Sequence, residues 1–387
     1  MSQDTQSSPA QTLVIEAAEI LLPSKHISQD VEFWTGDPLK FRMDQIYPAD
    51  DPRVAILSGH GLRLRLDRAA SSQPPTIRLL CHNVPEVPMR VSPSGAHVEF
   101  ISADEQFPRP ATQHAFICRR LKDNAPWIIG RAGMHYRDLI PSRLGGAIIA
   151  SHIRIPDAGP VPDQVHYHTI GFQLIYCYKG WVRLVYEDQG PPFILRAGDC
   201  VTQPPKIRHR VLESSENLQV IEIGVPAEHM TTVDHDMELP TTAHRPEREW
   251  EAQRFVHSLA EKGVWQPWRI PGFESCDTGV ADGTRGVATV SVVRLLPGIS
   301  AGEVVTSHDS DILLTFVISG SCKLHGEDQD AQSLTEGDAF TIPPGYKTRL
   351  SELSSDLGLL EVSLPAKFST TIHPNKTVNE PDNILSS

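Results

Sequence analysis

The chain has 387 residues, and at roughly 150 residues per domain this length predicts two or three domains. Hydrophobic residues make up 40% of the sequence and charged residues 21%, which is typical of a folded globular protein. The 35 Lys and Arg residues and 48 Asp and Glu residues give a formal net charge of -13, without any basic block. We therefore expect neither a nucleic-acid partner nor an anionic-membrane partner.

The distribution of apolar residues and cysteines indicates the class of protein. No run of about 18 apolar residues occurs, so no membrane span is predicted, and the N-terminal residues lack the features of a secretory signal. The six cysteines include no CxxC pair, which favours free thiols over a disulfide framework. We expect a cytoplasmic protein that acts on a small-molecule substrate.

Residues 12–70 contain five predicted elements. A strand is expected in LVIEAAEILL, a short helix in SQDVEFWTGD, and strands in FRMDQIYPAD, RVAILSG and LRLRLDR. This βαβββ order resembles one half of a vicinal-oxygen-chelate (glyoxalase-like) domain. Metal-bearing members of that superfamily take one ligand from the first strand and a Glu from the last, and only Glu19 and Asp67 match loosely here. We interpret the segment as a packing or dimerisation module, preceded by a disordered tail at residues 1–11.

The rest of the sequence repeats at an interval of about 140 residues. Four residues recur in order, namely Trp127, Pro156, Gly180 and Gly198 as Trp268, Pro297, Gly320 and Gly337. The intervening text agrees, since YCYKGWVRL matches TFVISGSCKL and LRAGDCVTQPP matches LTEGDAFTIPP. Both copies consist of short β-branched and aromatic runs between Pro, Gly and Asp turns, which predicts strands.

The repeat predicts the domain boundaries. We expect a first unit at 76–229, a polar linker at 230–250, a second unit at 251–366 and a C-terminal tail at 367–387. The text EREWEAQRFVHSLAEKG, at 247–263, predicts a helix that leads into the second unit.

The first copy carries a constellation of metal-ligating residue types. His166 and His168 lie two residues apart, so on a strand both imidazoles point to the same face. Gln173 begins the next apolar run, and His209 follows a turn that returns the chain on an adjacent strand. Three imidazoles and an amide oxygen converging inside a barrel would suit a divalent metal ion of borderline softness.

These residues resemble the two short motifs of the cupin superfamily. The first motif is matched by Gly159, His166, His168, Gln173 and Gly180, with Gln in place of the usual Glu, and the second by Gly198, Pro204, Lys206 and His209, with Lys in place of the usual glycine. The resemblance implies a mainly β fold of two tandem double-stranded β-helix (jelly-roll) barrels behind the N-terminal α+β module. It implies that His166, His168, Gln173 and His209 bind one divalent metal ion per chain, with Fe2+ favoured and Zn2+, Ni2+ or Mn2+ as alternatives. It also implies a homodimer or a higher homo-oligomer.

The second copy serves as an internal control for this site. The equivalent positions are Thr306, His308, Leu313 and Thr348, so a single potential ligand remains. The two copies differ at the candidate ligand positions, whereas they share the Gly and Pro residues of the turns that the fold requires. We expect the second barrel to be metal-free, with a structural or dimer-forming role.

Three further residues of the first copy are candidates of lower rank. Glu222 could be a general base, but its counterpart Glu361 is also present in the second copy, which favours a structural role. His152 aligns with an apolar position of the second copy and suggests a pocket residue, although a lone histidine is more often structural. Cys177 is expected to be a small buried hydrophobic residue.

The favoured function is that of a non-haem iron dioxygenase that cleaves a carbon–carbon bond in a small aromatic or dicarbonyl compound. Four aromatic residues surround Gln173 in the sequence and support this interpretation, namely Phe172, Tyr176, Tyr178 and Trp181. One alternative is a redox-neutral Zn, Ni or Mn isomerase, lyase or cyclase that acts on a sugar acid or a polyketide-like substrate. Another alternative is a non-catalytic protein that binds a small molecule.

Overall fold

The structure of the protein is a computed structural model that describes residues 15–103, 108–123, 126–296 and 304–374. The chain divides into two compact units, Met1–Gln106 and Phe107–Ser387. Among the described residues no helix is long and apolar enough to cross a membrane. The predicted tail at 1–11 lies outside the described residues.

The described residues of the N-terminal unit form one helix and two small sheets. Its elements are β1 (Ile20–Pro23), α1 (Ile27–Thr35), β2 (Arg42–Tyr47), β3 (Val54–Gly59), β4 (Leu62–Asp67), β5 (Thr76–Cys81), β6 (Met89–Val91) and β7 (His97–Ser102). The first sheet has the order β1-β4-β3-β2, with β1 parallel to β4 and the other pairs antiparallel. The predicted βαβββ order is confirmed, while the glyoxalase-like resemblance stays a prediction.

The second sheet of this unit, β5-β7-β6, corrects the predicted domain boundary. Ile77 and Val98 of this sheet are buried in the same hydrophobic core as Trp34 of α1. The buried carboxylate of Asp30 on α1 also accepts hydrogen bonds from Ser24 Oγ and from the backbone N–H of Ser94. The expected end of the module at residue 70 and start of the first barrel at residue 76 are therefore wrong, because residues 76–102 complete the core of the N-terminal unit.

The second unit is built almost entirely of short strands. Those that precede residue 240 are β8 (Ile117–Arg119), β9 (Ile128–Ile129), β10 (His135–Asp138), β11 (Ile149–Ile155), β12 (Gly159–Pro160), β13 (His166–Thr169), β14 (Phe172–Lys179), β15 (Trp181–Tyr186), β16 (Phe193–Arg196), β17 (Cys200–Thr202), β18 (His209–Ser214), β19 (Leu218–Val225) and β20 (Met230–Val233). Those that follow are β21 (Glu249–Trp250), β22 (Gln253–Arg254), β23 (His257–Ser258), β24 (Trp265–Pro267), β25 (Phe273–Asp277), β26 (Thr289–Leu295), β27 (Val305–His308), β28 (Ile312–Ser319), β29 (Ser321–Gly326), β30 (Gln329–Thr335), β31 (Ala339–Thr341), β32 (Thr348–Ser351), β33 (Gly358–Leu364) and β34 (Thr370–His373). A four-residue helix, α2 (Val280–Gly283), and four 3-10 turns complete the part of this unit that the structure describes.

The strands form two barrels of two sheets each. The first barrel pairs the sheet β23-β17-β14-β19-β11-β10-β9 with the sheet β16-β15-β18-β13-β20. The second pairs β24-β25-β26-β33-β28-β31-β8 with β30-β29-β32-β27-β34. The register supports the sequence repeat, because His166 lies opposite His209 in the first barrel, as Thr306 lies opposite Thr348 in the second.

The barrels exchange strands, and this exchange corrects several sequence predictions. Strand β8 precedes the first barrel but pairs with β31 of the second, while β23 precedes the second barrel but pairs with β17 of the first. The helix expected at 247–263 is absent, because the backbone of Val256 instead bonds to Thr202 of the first barrel. Strand β20, inside the expected linker 230–250, pairs with β13.

The C-terminal end of the second barrel also differs from the expectation. Residues 370–373 were expected in a tail at 367–387, but they form β34, which pairs with β27. The rest of that tail, from residue 375, lies outside the described residues.

Alternation along β14 decides which side chains can reach the interior of the first barrel. Phe172, Leu174 and Tyr176 are buried in a core that also contains residues of the second barrel, among them Phe316. Cys177, on the opposite face, belongs to the core inside the first barrel. Because side chains alternate along a strand, Gln173 and Ile175 share the inward face with Cys177.

Candidate metal centre

Strands β13 and β18 bring three histidines together inside the first barrel. His166, His168 and His209 offer ligand nitrogens that all lie within 4.8 Å of one another. Their exposed fractions are 1%, 8% and 3%, so the cluster is almost closed to bulk solvent. Period-two alternation on β13 and the pairing of His166 with His209 produce this convergence.

The turn before His209 holds the second motif in place. Lys206 has a φ of 64°, in the left-handed region, and its backbone N–H bonds to the carbonyl of His168. In the second barrel Gly345 has a φ of 76° and makes the same bond to His308. Lys206 therefore occupies the glycine position of the motif, and its backbone hydrogen bond connects the turn to β13, the strand that carries His166 and His168.

The second nitrogen of each imidazole is held by a hydrogen bond. His166 Nδ1 lies 2.7 Å from the carbonyl of Gln164, and His209 Nδ1 lies 3.0 Å from the carbonyl of Ile207. A carbonyl only accepts, so each Nδ1 carries the proton and each Nε2 keeps its lone pair. His168 Nδ1 lies 2.9 Å from the hydroxyl of Thr231. Such outer contacts orient imidazoles that bind metal ions.

The electrostatics of the cluster favour neutral rings. Burial lowers the pKa of His166 and holds the pKa values of His168 and His209 well below their usual range. The neighbouring imidazoles lower the pKa values of His168 and His209 further. Neutral imidazoles, which keep a nitrogen lone pair, are the form that binds a divalent metal ion.

Gln173 lies on β14, in the other sheet of the barrel from β13 and β18, and its side chain faces the barrel interior, as predicted. Its amide N–H donates to Glu222 Oε1 at 2.6 Å, which turns the amide group in a defined direction. Its carbonyl oxygen is buried and has no hydrogen-bond partner among the described residues. A buried amide oxygen without a hydrogen-bond partner, like a neutral imidazole, is a ligand that suits a divalent cation of borderline softness. Ligation by Gln173 stays a prediction.

A cavity of about 300 Å³ opens beside the histidines. Most of the area of its wall is apolar, and its polar groups include Arg131, Glu222 and His229. The aromatic residues expected around it are elsewhere, because Phe172, Tyr176 and Tyr178 pack in the core between the barrels. Two tyrosines that the sequence analysis missed line it instead, Tyr136 and Tyr186.

Two further cavity residues were also missed. Arg131 Nη2 lies 2.8 Å from His166 Nε2, and Arg131 Nη1 pairs with Asp163, three residues before the HxH pair. The ring of His229 stands 5.5 Å from that of His168. The repeat could have revealed His229, because the interval that relates the copies aligns it with Phe368, which stands 6.2 Å from His308.

The second barrel lacks such a site among its described residues. Its cavity has a volume of about 30 Å³, roughly one water molecule. His308 uses both ring nitrogens internally, with Nε2 bonded to the carbonyl of Ile342 and Nδ1 accepting from the N–H of Ser310. Leu313 is part of the core. The expected loss of ligands in this copy is thus accompanied by a loss of space.

The equivalent glutamates of the two barrels, Glu222 and Glu361, have different partners. Glu361 is paired with the guanidinium of Arg269, whose Nε lies 3.0 Å from one carboxylate oxygen. Glu222 has the neutral amide of Gln173 as its partner and lines the cavity. Burial raises the pKa of Glu222. The presence of both glutamates in the sequence therefore does not make them equivalent, and Glu222 remains a candidate base.

His152 is not a pocket residue. Its neighbours Ser151 and Ile153 line the cavity, but the His152 ring points to the opposite face of β11, between the barrels. There it contacts Tyr178 of the first barrel and Phe316 of the second, at ring distances of 5.6 and 5.8 Å. The suggestion that His152 marks the pocket is wrong, because alternation on β11 turns it towards the core that the barrels share.

We expect His152 to make the stability of the barrel unit depend on pH. Burial and the charge of Arg137 lower the pKa of His152 from 6.5 to about 4. The contribution of the neutral ring is therefore complete above pH 6.5 and is lost as the pH falls towards 4, by roughly 2–3 kcal/mol. Denaturant unfolding at neutral and acidic pH should show that the wild type loses this much more stability than His152→Gln, which cannot titrate. Equal losses would contradict the assignment.

The cysteines behave as predicted. All six are free thiols. Cys177 is completely buried, and burial raises the pKa of its thiol to about 12, so it stays protonated. Its role is that of a small core residue.

Comparisons with known proteins identify the architecture. No protein-family model matches the chain, and no curated protein matches its sequence. The structure is similar to that of a salicylate 1,2-dioxygenase from Pseudaminobacter salicylatoxidans, with 14% identity, a TM-score of 0.50, and coverage of 68% of this chain and 90% of that chain. The fold is that of two tandem cupin barrels. An oxalate decarboxylase from Bacillus subtilis is also similar, with 14% identity, a TM-score of 0.48, and coverage of 70% and 86%.

Proposed function

We propose that the first cupin barrel is the active site of a metal-dependent enzyme, a non-haem iron dioxygenase that cleaves a carbon–carbon bond in a small aromatic or dicarbonyl compound. The observation that carries this proposal is the convergence of three neutral, oriented imidazoles at a cavity of about 300 Å³. In the described part of the second barrel, His308 is the one residue of the candidate ligand set that remains, and the cavity is about 30 Å³. Selection on a function explains that difference better than folding does.

The chain's own residues define what the site can bind. His166, His168 and His209 would hold the metal ion, with Gln173 as a fourth candidate ligand. A ferrous ion held by these residues would leave coordination positions open for an organic substrate and dioxygen. The mostly apolar wall would exclude water from the substrate body, and Arg131 supplies a positive charge beside the histidines. This arrangement suits a compact molecule with an apolar body and an oxygen-bearing head.

The similarity to a salicylate 1,2-dioxygenase supports the proposal by analogy. That protein is named as a dioxygenase that acts on salicylate, a small aromatic compound. At 14% identity the likeness extends to the fold alone. The reaction of this chain therefore rests on its own site, and the small-molecule substrate and the homo-oligomer stay predictions.

The second candidate function is redox-neutral chemistry at Zn2+, Ni2+ or Mn2+, as in an isomerase, lyase or cyclase. The observation that favours it is the pair formed by Gln173 and Glu222. A neutral amide ligand would leave the metal ion with its full dipositive charge, which favours Lewis-acid chemistry. Glu222 faces the cavity and is outside the candidate ligand set, so it is available to exchange protons with a substrate.

Elemental analysis of protein purified without oxygen tests the proposal first. We expect about one iron per chain in the wild type and almost none in His166→Ala. The matched control is His308→Ala, the equivalent histidine of the second barrel, which should leave the metal content unchanged. A halved metal content in that control would show that the second barrel binds metal, against the repeat argument.

Oxygen consumption then distinguishes the reaction classes. Catechols, hydroxybenzoates and diketones should be screened with the iron-loaded protein in an oxygen electrode. Turnover that persists without oxygen would rule out the dioxygenase and favour the isomerase or lyase. Absence of metal, with none taken up on titration, would instead identify a non-catalytic binding protein.

A further inference from the structure

Arg131 stands where a metal ion would approach His166. The carbonyl of Gln164 accepts the Nδ1 proton of His166, so His166 Nε2 carries a lone pair. Arg131 Nη2 donates into that lone pair at 2.8 Å. Since one lone pair cannot bind a guanidinium N–H and a metal ion together, the two are alternative partners of His166.

We propose that a metal ion displaces the Arg131 guanidinium from His166, and that the displaced guanidinium then binds an anionic oxygen of the ligand, such as a carboxylate. This inference rests on the metal site of the proposed function. It adds that Arg131 limits metal affinity in the absence of ligand and that the ligand is an oxyanion.

The rest of the site explains why the displaced group needs a new acceptor. Arg131 Nη1 stays paired with Asp163, whose other oxygen accepts the backbone N–H of Val211. Among the described residues the Nη2 group has no such second partner, and it would face a cavity whose wall is mostly apolar in area. One oxygen of the Glu222 carboxylate already accepts a hydrogen bond from Gln173. A guanidinium N–H that turns into this cavity without finding an acceptor loses a hydrogen bond to water, so we expect the ligand to supply the acceptor.

The local backbone allows the Arg131 side chain to move. Arg131 begins a short 3-10 turn, Arg131–Gly133, between the edge strand β9 and β10. Its side chain keeps 39% of its surface exposed, although its head reaches the buried histidines. A long side chain at the barrel rim can change its torsions without disturbing the core.

The second barrel shows the opposite arrangement. Its cavity is lined by Arg269 and Arg349, and Arg269 makes two bonds to the Glu361 carboxylate and a third contact to the Thr370 hydroxyl. This guanidinium is satisfied by the protein and closes a cavity of about 30 Å³. The contrast supports a role in ligand binding for Arg131 and a structural role for Arg269.

Metal affinity measured without substrate provides the first test. Cobalt(II) should be titrated against a chelator for the wild type, Arg131→Met and Arg131→Lys. Removing the competing donor should tighten cobalt(II) binding by about tenfold in Arg131→Met. Arg131→Lys keeps a positive charge beside Asp163 but cannot span Asp163 and His166 in the same way, so it should also tighten binding. The Arg131→Lys variant keeps a partner for Asp163, so it tests the displacement even if Arg131→Met fails to fold because Asp163 is unpaired.

The matched control is Arg208→Met. Arg208 precedes His209 in the sequence but pairs with Asp234 and covers the ring of Tyr167, and it does not line the cavity. The Arg208→Met variant removes the same positive charge from the position next to His209, so it should change the cobalt(II) affinity by less than about twofold. A change as large as that of Arg131→Met would attribute the effect to long-range charge and overturn the displacement.

Benzoate binding to the cobalt-loaded protein provides the second test, read from the visible absorption of the metal. The wild type should bind benzoate, and Arg131→Met should bind it at least about tenfold more weakly. If the wild type binds cobalt(II) but the Arg131 variants bind cobalt(II) and benzoate equally well, the role of Arg131 is overturned and the metal site stands. If neither the wild type nor the Arg131 variants bind cobalt(II), the proposed function fails as well.

Discussion

Replacing His209 by alanine should lower the metal affinity of the chain at least about a hundredfold. His209 is one of three imidazoles whose ligand atoms lie within 4.8 Å of one another, and its exposed fraction is 3%. Loss of an outer-shell contact to a metal ligand typically costs 10- to 100-fold in affinity, so loss of the ligand itself should cost more. Competition titration with a chelator measures the change directly.

The repeat offers a control at the same register. Thr348 lies opposite Thr306 as His209 lies opposite His166, and its exposed fraction is 6%. Thr348→Ala truncates a buried side chain at the equivalent position, so it reports any general damage to a barrel without removing a ligand. It should leave the affinity unchanged. Equal losses in the two variants would show that the His209 effect is one of folding.

A variant of the first barrel that carries the second barrel's residues at three of the candidate ligand positions tests whether those positions are needed for metal binding. His166→Thr, Gln173→Leu and His209→Thr together place the residues of the second barrel in the first. Because an equivalent scaffold already accepts these side chains, the variant should fold and contain no metal. Retained metal would mean that other residues hold it.

The sequence was sufficient to predict the barrels and the three histidines, and the reasons are physical. Side chains alternate with a period of two along a strand, so His166 and His168 had to share a face. The repeat then supplied a second copy in which Thr306 and Thr348 take the places of His166 and His209, and the register of both barrels follows that alignment.

The errors arose where distant segments decide the local structure. Residues 247–263 carry a helical pattern, yet the backbone of Val256 bonds to Thr202 of the other barrel, and these contacts outweigh local propensity. Strands β5 to β7 were predicted to belong to the first barrel, but Val98 of β7 is buried in the same hydrophobic core as Trp34. No local pattern carries such information.

The polar residues of the cavity were missed for a related reason. Arg131 and His229 belong to no motif, and they reach the histidines through the fold, from a turn before β10 and from the loop after β19. For His152 the polar-for-apolar difference between the copies was real but was assigned to the wrong face of β11. A difference between repeats indicates a changed environment, and only the structure shows which face changed.

Replacing Phe316 by alanine should destabilise the barrel unit by about 3–5 kcal/mol. Phe316 has an exposed fraction of 1% and lies in a core that contains residues of both barrels, including Phe172 and Leu360. Its ring stands 5.0 Å from that of Tyr178 in the first barrel. Denaturant unfolding followed by far-ultraviolet circular dichroism and by metal release should show both signals shifting together, although Phe316 belongs to the barrel without the metal site.

A double-mutant cycle distinguishes this shared core from damage confined to the second barrel. Phe316→Ala and Tyr178→Ala should show a coupling energy of about 0.5–1.5 kcal/mol, because the rings are in edge-to-face contact. Phe340→Ala is the matched control, since Phe340 is equally buried but belongs to the core inside the second barrel. Its coupling to Tyr178 should be close to zero. Zero coupling for Phe316 as well would mean that the contact between the barrels carries little energy, and the metal site would then depend on the first barrel alone.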